Sequence, residues 1–287
     1  MNPIDLCFHW VRERESVRIK KDGGIPHPWT KDEILGIYRF CNVRREDDRV
    51  TIWIRDNIRE PFADHEHLWF MLCIARQINW PGSLATLIGE ECWPSNPNFS
   101  PKALGDELER MAESNYKVFT GAYNITAPPV KGMKKTHFVA EHTLGNVWKE
   151  RDRFEIYFQQ GVKSLKRVHS MLTHFDCWGP FMAYQAVVDM RFTDLLSDAV
   201  DIETWAAAGP GTIRGLNRIA GRELNKQITQ DQALFELRQL APLIRKETGV
   251  EFDFSDVPNI MCETDKYIRV RNGEGKPRAL YVPGRGS

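Results

Sequence analysis

Apolar residues recur along most of this 287-residue chain at spacings of three and four, the signature of helices that bury one face. Residues 31–59 read as one long helical region: Lys31-Asp32-Glu33 supply its polar start, and apolar positions recur at 34, 37, 38 and 41. Leu68 to Ile78 reads as a second helix, closed by Pro81-Gly82, and Ser100-Pro101 opens a third that runs to about Met111. After an irregular stretch over 120–136, with Pro128-Pro129, helical spacing returns over 137–150, 152–174, 180–196, 202–207, 212–222 and 231–247. Alternation with a period of two never lasts, and Thr51-Ile52-Trp53-Ile54 is too short to claim as a strand. The pattern predicts a mostly α fold in two lobes, an N-terminal helical lobe over 1–130 and a second over 131–287.

Composition removes several classes. With 42% hydrophobic and 27% charged residues the chain is globular. No apolar run approaches the about 20 residues that cross a bilayer, so no membrane is expected among its partners. Met1-Asn2-Pro3-Ile4-Asp5 has no basic region followed by an apolar one, which argues against a secretory leader. The six cysteines include no Cys-x-x-Cys pair, pointing to reduced thiols in a cytoplasmic setting and away from a zinc ribbon. Asp64-His65-Glu66-His67 and the His169/His174 pair lack zinc-hydrolase spacing, and no metal is expected. Nor is there a Gly-x-x-x-x-Gly-Lys-Ser/Thr loop for ATP.

Net charge is zero, yet the basic residues are grouped. Arg214, Arg218, Arg222 and Lys226 form one cluster, Lys131, Lys134 and Lys135 another, and Lys266, Arg269, Arg271, Lys276, Arg278 and Arg285 a third. One face of a neutral molecule can thus be positive, as a nucleic-acid partner requires. The first cluster follows Gly209-Pro210-Gly211, a turn that presents backbone N–H groups at the start of a helix, where a phosphate is favoured. Gly209, Gly211, Arg214 and Arg218 are therefore the candidate DNA contacts, in the pattern of a helix–hairpin–helix. A plain Gly-Pro-Gly loop between two core helices fits the same residues.

Three further groups have chemistry to offer. Gly179-Pro180 opens a helix, and about twenty residues on comes Asp201; that layout resembles helix–hairpin–helix DNA glycosylases, with Asp201 as the active carboxylate and Asp189 as its rival. Asp201 also fits a helix N-cap before Ile202. In the run from Cys262 to Arg278, Glu263 and Lys266 are spaced i, i+3 and Asp265 and Arg269 i, i+4. Such pairs can activate an amine or hold a phosphate, and equally form a salt-bridge ladder on a helix surface. Asn42, Arg45 and Arg49 fall on one face of the expected 31–59 helix, suited to phosphate or a base edge, or to an internal network with Asp48.

Phe40-Cys41-Asn42-Val43-Arg44-Arg45-Glu46-Asp47-Asp48-Arg49, then Gly179-Pro180-Phe181-Met182-Ala183-Tyr184-Gln185 with Asp189, then Gly209-Pro210-Gly211 with Arg214-Gly215, then Cys262-Glu263-Thr264-Asp265-Lys266-Tyr267 follow one another in this order. Together they resemble a phage-associated family, the α-glutamyl/putrescinyl thymine pyrophosphorylases. These are also described as amino acid:DNA transferases, and are related to the helical domain of 5-hydroxymethyluracil DNA kinases. The resemblance spans roughly residues 35–280. It implies a helix–hairpin–helix, DNA-glycosylase-like fold and a phage-infected host cytoplasm. It also implies a reaction on double-stranded DNA in which an amino acid or polyamine displaces pyrophosphate from the C5 methylene of a modified thymine. That pyrophosphate ester would be made by a separate 5-hydroxymethyluracil DNA kinase, and the amine is the only co-substrate implied.

Read through that resemblance, Lys266, Arg269 and Arg45, with Asn42, are the candidates to hold the leaving group. Glu263, Asp265 or Asp201 would take the proton of the amine, with Asp189 as a further candidate carboxylate. Trp178, Tyr184 or Tyr267 would stack a flipped base. Two other activities fit the same residues: a glycosylase for a modified thymine, and a DNA-binding module without catalysis.

Overall fold

The computed structural model describes residues 1–123, 125, 132–275, 277 and 280–281. The expected connection at Pro128-Pro129, the 130/131 lobe boundary, and Lys131, Lys276, Arg278 and Arg285 lie outside the described residues. The chain begins with α1 (Pro3–Asp22), α2 (Glu33–Ile37), α3 (Arg49–Ile54), α4 (Leu68–Ile78) and α5 (Pro81–Leu87). Next come α6 (Pro101–Glu113), α7 (Lys135–His137), α8 (Gly145–Lys149), α9 (Arg151–Phe158), α10 (Leu165–Thr173) and α11 (Pro180–Arg191). The last three are α12 (Pro210–Ile219), α13 (Gln230–Thr248) and α14 (Val257–Arg271). Wider π turns over Arg55–Arg59 and Phe138–Leu144 extend α3 and join α7 to α8. No strand occurs among the described residues; Tyr38 and Leu280 make an isolated antiparallel bridge. The fold is mostly α, as the periodicity predicts.

The helices divide into two compact units, one made of 1–49 with 203–287 and the other of 50–202. In the second unit α4 is buried along its whole length, from Leu68 to Ile78. Such a helix is a core element, and its one charged residue, Arg76, is buried with it. Trp69 stacks on Phe154 of α9 with ring centroids 4.5 Å apart. Phe70 meets Trp148 of α8 at 4.8 Å.

In the first unit α12 lies along α14, and the contact depends on two glycines. A Cβ at Gly211 would collide with the Cys262 side chain, and one at Gly215 with the Met261 carbonyl. These residues let two helix backbones approach closely, which is a packing reason for glycine independent of any phosphate. Gly209 precedes α12 with φ −83°, a value open to most residues. α1 packs against the same pair and is well capped: Asn2 accepts from the Asp5 N–H, Pro3 opens the helix, and Lys20 and Lys21 close it.

The structure departs from the pattern in three places. Residues 31–59 are not one helix: α2 ends at Ile37, and Tyr38 and Arg44 are extended before a 3-10 turn over Arg45–Asp47. The Cys41 N–H donates to Glu263 and the Asn42 N–H to Asp48, so side chains take the amides a helix would use. Asn42, Arg45 and Arg49 therefore share no helical face. Residues 202–207 form turns and irregular chain, leaving no helix before Gly209 to pair with α12. Gln230 captures both the N–H and the carbonyl of Ala208, and Arg238 the carbonyl of Thr204. The 152–174 segment breaks between α9 and α10, where the Tyr157 hydroxyl accepts from the Ser164 N–H at 2.8 Å.

Candidate functional site

α14 in the first unit gathers most of the expected site residues. Glu263 is buried, and its Oε2 accepts from the Cys41 N–H at 3.0 Å and from Lys266 Nζ at 3.1 Å. Lys266 also donates to the Arg39 carbonyl at 2.6 Å, and its ammonium lies 4.4 Å from the centre of the Phe40 ring. The pair thus clamps the 39–41 segment onto the helix. It is no loose surface ladder, because the carboxylate is out of water and hydrogen-bonded on two sides.

On a neighbouring face Asp265, also buried, accepts from Arg218 Nε at 2.6 Å and faces Arg214 Nη2 at 3.1 Å. Arg218 continues to Glu274 at 2.5 Å, and that contact is the leading reason the Glu274 carboxyl is held down at about 2. Arg218, expected on DNA, is buried and bound to two carboxylates. Arg214 keeps about a third of its side chain exposed and remains available to an outside anion. Arg269 Nε is buried with no hydrogen-bond partner among the described residues.

The 39–49 segment is equally ordered by its own side chains. Asn42 binds Arg14 through its amide oxygen and donates Nδ2 to the Asp47 carbonyl at 2.7 Å. The Arg45 N–H donates to Asp256 at 2.9 Å. Arg44 pairs with Asp47, and Arg18 with both Glu15 and Asp47. This is the internal network that the sequence left open as an alternative.

Tyr267, on the third face of α14, donates its hydroxyl to Asp32 Oδ2 at 2.5 Å. The same oxygen lies 2.8 Å from His9 Nε2, while Asp32 Oδ1 caps α2 through the Ile34 and Leu35 N–H groups. Burial works against the Asp32 charge, but the hydrogen bonds from Tyr267, His9 and the backbone outweigh it and hold the carboxyl below its ordinary range. Burial, then Asp32, pushes the Tyr267 phenol up. These side chains border a cavity of about 670 Å³ lined also by Glu13, Lys31 and Arg271. His9 and Asp32 were missed as site residues. Nothing in local spacing joins positions 23 apart, and the one signal is Asp32 as the polar start of a helix.

The remaining expected residues belong to the second unit. Asp189 is fully buried and forms a two-point pair with Arg76, at 2.5 and 2.7 Å. Arg76 is held further by Asn79 and Thr51. Asp201 caps α10, its carboxylate accepting from the Leu165 N–H at 2.7 Å, the Lys166 N–H at 3.0 Å and the Ser164 hydroxyl at 2.7 Å. It is a cap, but of a helix far back in the chain and not of Ile202. Trp178 lies inside the unit with Nε1 donating to the Thr143 carbonyl, and Tyr184 is buried as well. Glu66, His67 and Glu155 bring donor atoms within 4.8 Å of one another, the one such trio among the described residues, and its Glu66 extends into solvent. No helix among the described residues is long and apolar enough to cross a membrane.

Comparison with known proteins gives these positions a context. The 5-hmdU DNA kinase of Bacillus phage SP10 is 25% identical over 294 residues, an alignment that takes in 92% of this chain and 44% of the phage protein. The chain therefore spans less than half the length of that relative. No solved structure matches it. The family model for the helical domain of 5-hmdU DNA kinase matches residues 2–277, nearly the whole chain, and the chain belongs to that family.

Proposed function

We propose that the chain is a DNA-modifying transferase acting on pyrophosphorylated 5-hydroxymethyluracil in phage DNA, where an amine displaces the pyrophosphate. The observation that carries this reading is the family match over 2–277 in a chain whose sequence has no Gly-x-x-x-x-Gly-Lys-Ser/Thr loop. The family ties the chain to hydroxymethyluracil chemistry. These 287 residues lack the loop by which P-loop kinases hold ATP, so phosphorylation is assigned to a kinase outside this stretch.

In the reaction the bond from the C5 methylene to the ester oxygen breaks and pyrophosphate departs. The amine nitrogen bonds to that methylene and gives up a proton. Lys266, Arg269 and Arg45 are assigned to the leaving group, whose growing negative charge needs fixed cations. Glu263 is assigned to the proton, with Asp265 holding Arg214 toward the DNA backbone. Asp189 and Asp201 are left out of the chemistry: Arg76 holds both oxygens of Asp189 and Asp201 accepts three hydrogen bonds at the start of α10, whereas Glu263 Oε1 has only a 3.5 Å contact with Lys266. Burial leaves Trp178, Tyr184 and Tyr267 no free ring face for a base.

The test is to incubate double-stranded DNA containing pyrophosphorylated 5-hydroxymethyluracil with the protein and a mixture of amino acids and polyamines. The DNA is then digested to nucleosides for mass spectrometry. A nucleoside with the mass of an amine adduct is the expected product. Released free base would replace this reading with a glycosylase, and unchanged nucleosides would reject it. Lys266→Ala should lose adduct formation while still binding DNA; lost binding with intact chemistry would remove Lys266 from the leaving group.

A further inference from the structure

The cavity beside α1 contains groups that the reaction above leaves unused. A neutral His9 ring donates its Nε2 hydrogen to Asp32, which leaves the lone pair on Nδ1. Asp32 is fixed by the Tyr267 hydroxyl and by two backbone N–H groups, so it sets both the tautomer and the orientation of the ring. His9 keeps a third of its side chain exposed and lines the cavity. Glu13, one helical turn along α1, lines it too. Its Oε2 accepts the Thr30 hydroxyl at 2.8 Å, and Oε1 has no hydrogen-bond partner among the described residues. Lys31 and Arg271 add cations to the same walls.

A cavity of about 670 Å³ falls in the size range of small-molecule sites. Its walls hold both signs of charge, and so fit a ligand that carries both. We infer that this cavity binds a small zwitterion, with its ammonium on Glu13 and its acidic group on Lys31 and Arg271, and that His9 is the proton acceptor for the bound ammonium. One proton passes from the ammonium nitrogen to His9 Nδ1, a different proton from the one that the nitrogen sheds to Glu263 after bonding to the methylene. This leaves a neutral amine and an imidazolium whose charge is compensated by Asp32. What then becomes of the amine rests on the transfer reading, but the binding does not.

The experiment is isothermal titration of the full chain, without DNA, with each standard amino acid, and with putrescine and acetate as ligands that lack one of the two charges. At least one amino acid should bind saturably, and putrescine and acetate at least about tenfold more weakly. Glu13→Gln and, as a second variant, Arg271→Met should each weaken binding by about tenfold or more while circular dichroism stays that of the folded chain. His9→Gln should bind within about threefold of the unmodified chain yet slow transfer by about a hundredfold or more. Absence of saturable binding, equal binding of putrescine or acetate, or unchanged affinity in both Glu13→Gln and Arg271→Met would overturn the assignment. Binding without any transfer to modified DNA would reject the transferase and leave the cavity standing. Transfer without amino-acid binding would do the reverse.

Discussion

Replacing Asp189 with asparagine separates two roles that the sequence alone could not. The side chain keeps its shape, but Arg76 loses its counter-charge in a position only 3% exposed. Arg76 cannot swing out to water, because Thr51 and Asn79 also hold its guanidinium. Breaking a buried pair from one side leaves an uncompensated charge, at a cost of about 3–5 kcal/mol. Even the lower end reduces the ratio of folded to unfolded chains by more than about a hundredfold. Urea denaturation followed by circular dichroism would measure the loss for Asp189→Asn, for Arg76→Met, and for the double variant Arg76→Met/Asp189→Asn. The double variant should lose less than the sum of the two single changes, since it removes both charges together. Asp189→Asn within about 0.5 kcal/mol of the unmodified chain would refute the reasoning, as would full additivity in the double variant. Adduct formation per folded molecule should survive; its loss at unchanged stability would return Asp189 to the reaction.

Gly215→Ala should destabilise the first unit by about 1–3 kcal/mol or more, read from the denaturation midpoint, because the added methyl meets the Met261 carbonyl and not a movable side chain. Asp201→Ala should cost about 0.5–2 kcal/mol, because the Leu165 and Lys166 N–H groups at the start of α10 lose their acceptor, and leave adduct formation intact. Burial raises the Asp256 carboxyl from 3.8 to about 7, so the folded chain holds a proton that the unfolded chain releases. Stability should therefore fall as pH rises from about 4 to about 7, and Asp256→Asn should flatten that slope in denaturation midpoints taken across the range. Glu274 acts in the opposite sense. Its carboxyl is depressed to about 2 by Arg218, so its contribution is present above about 4.5 and is lost as pH falls toward 2, which Glu274→Gln should abolish.

Much of the helical content was legible, for stated reasons. α4 and α13 are long, periodic and bounded by strong breakers, Asn79 in a left-handed conformation after one and Gly249 after the other. α1 is not legible in the spacing because its buried apolar residues, Leu6, Cys7, Trp10 and Val11, give way to the charged run Arg12-Glu13-Arg14-Glu15, of which Glu15 is buried too. The 31–59 region misled because apolar spacing was continuous while long-range partners were invisible. Glu263, 222 positions away, takes the amide that a helix would have used. The site divides in the same way. Spacing within α14 brought Glu263, Asp265 and Lys266 into view as a group. The pairing of Lys266 with Phe40, of Tyr267 with Asp32 and of Asp189 with Arg76 depends on the fold bringing distant segments together. Glycine spacing was ambiguous for a physical reason: a close helix crossing and a phosphate turn ask for the same absent side chain.

The first unit takes its residues from both ends of the chain, 1–49 and 203–287, whereas the second is one continuous stretch over 50–202. During synthesis α1 leaves the ribosome before the second unit, yet α12 and α14, its packing partners, leave after it. The unit that contains α1 must therefore wait, and the continuous stretch has its whole sequence available sooner. Domains generally form as units once their residues are present, so the order of folding should run opposite to the order of numbering. Meanwhile the apolar face of α1, with Trp10 and Val11, stays without its native cover until α14 emerges. That interval is where this protein is most exposed to aggregation or to help from a chaperone.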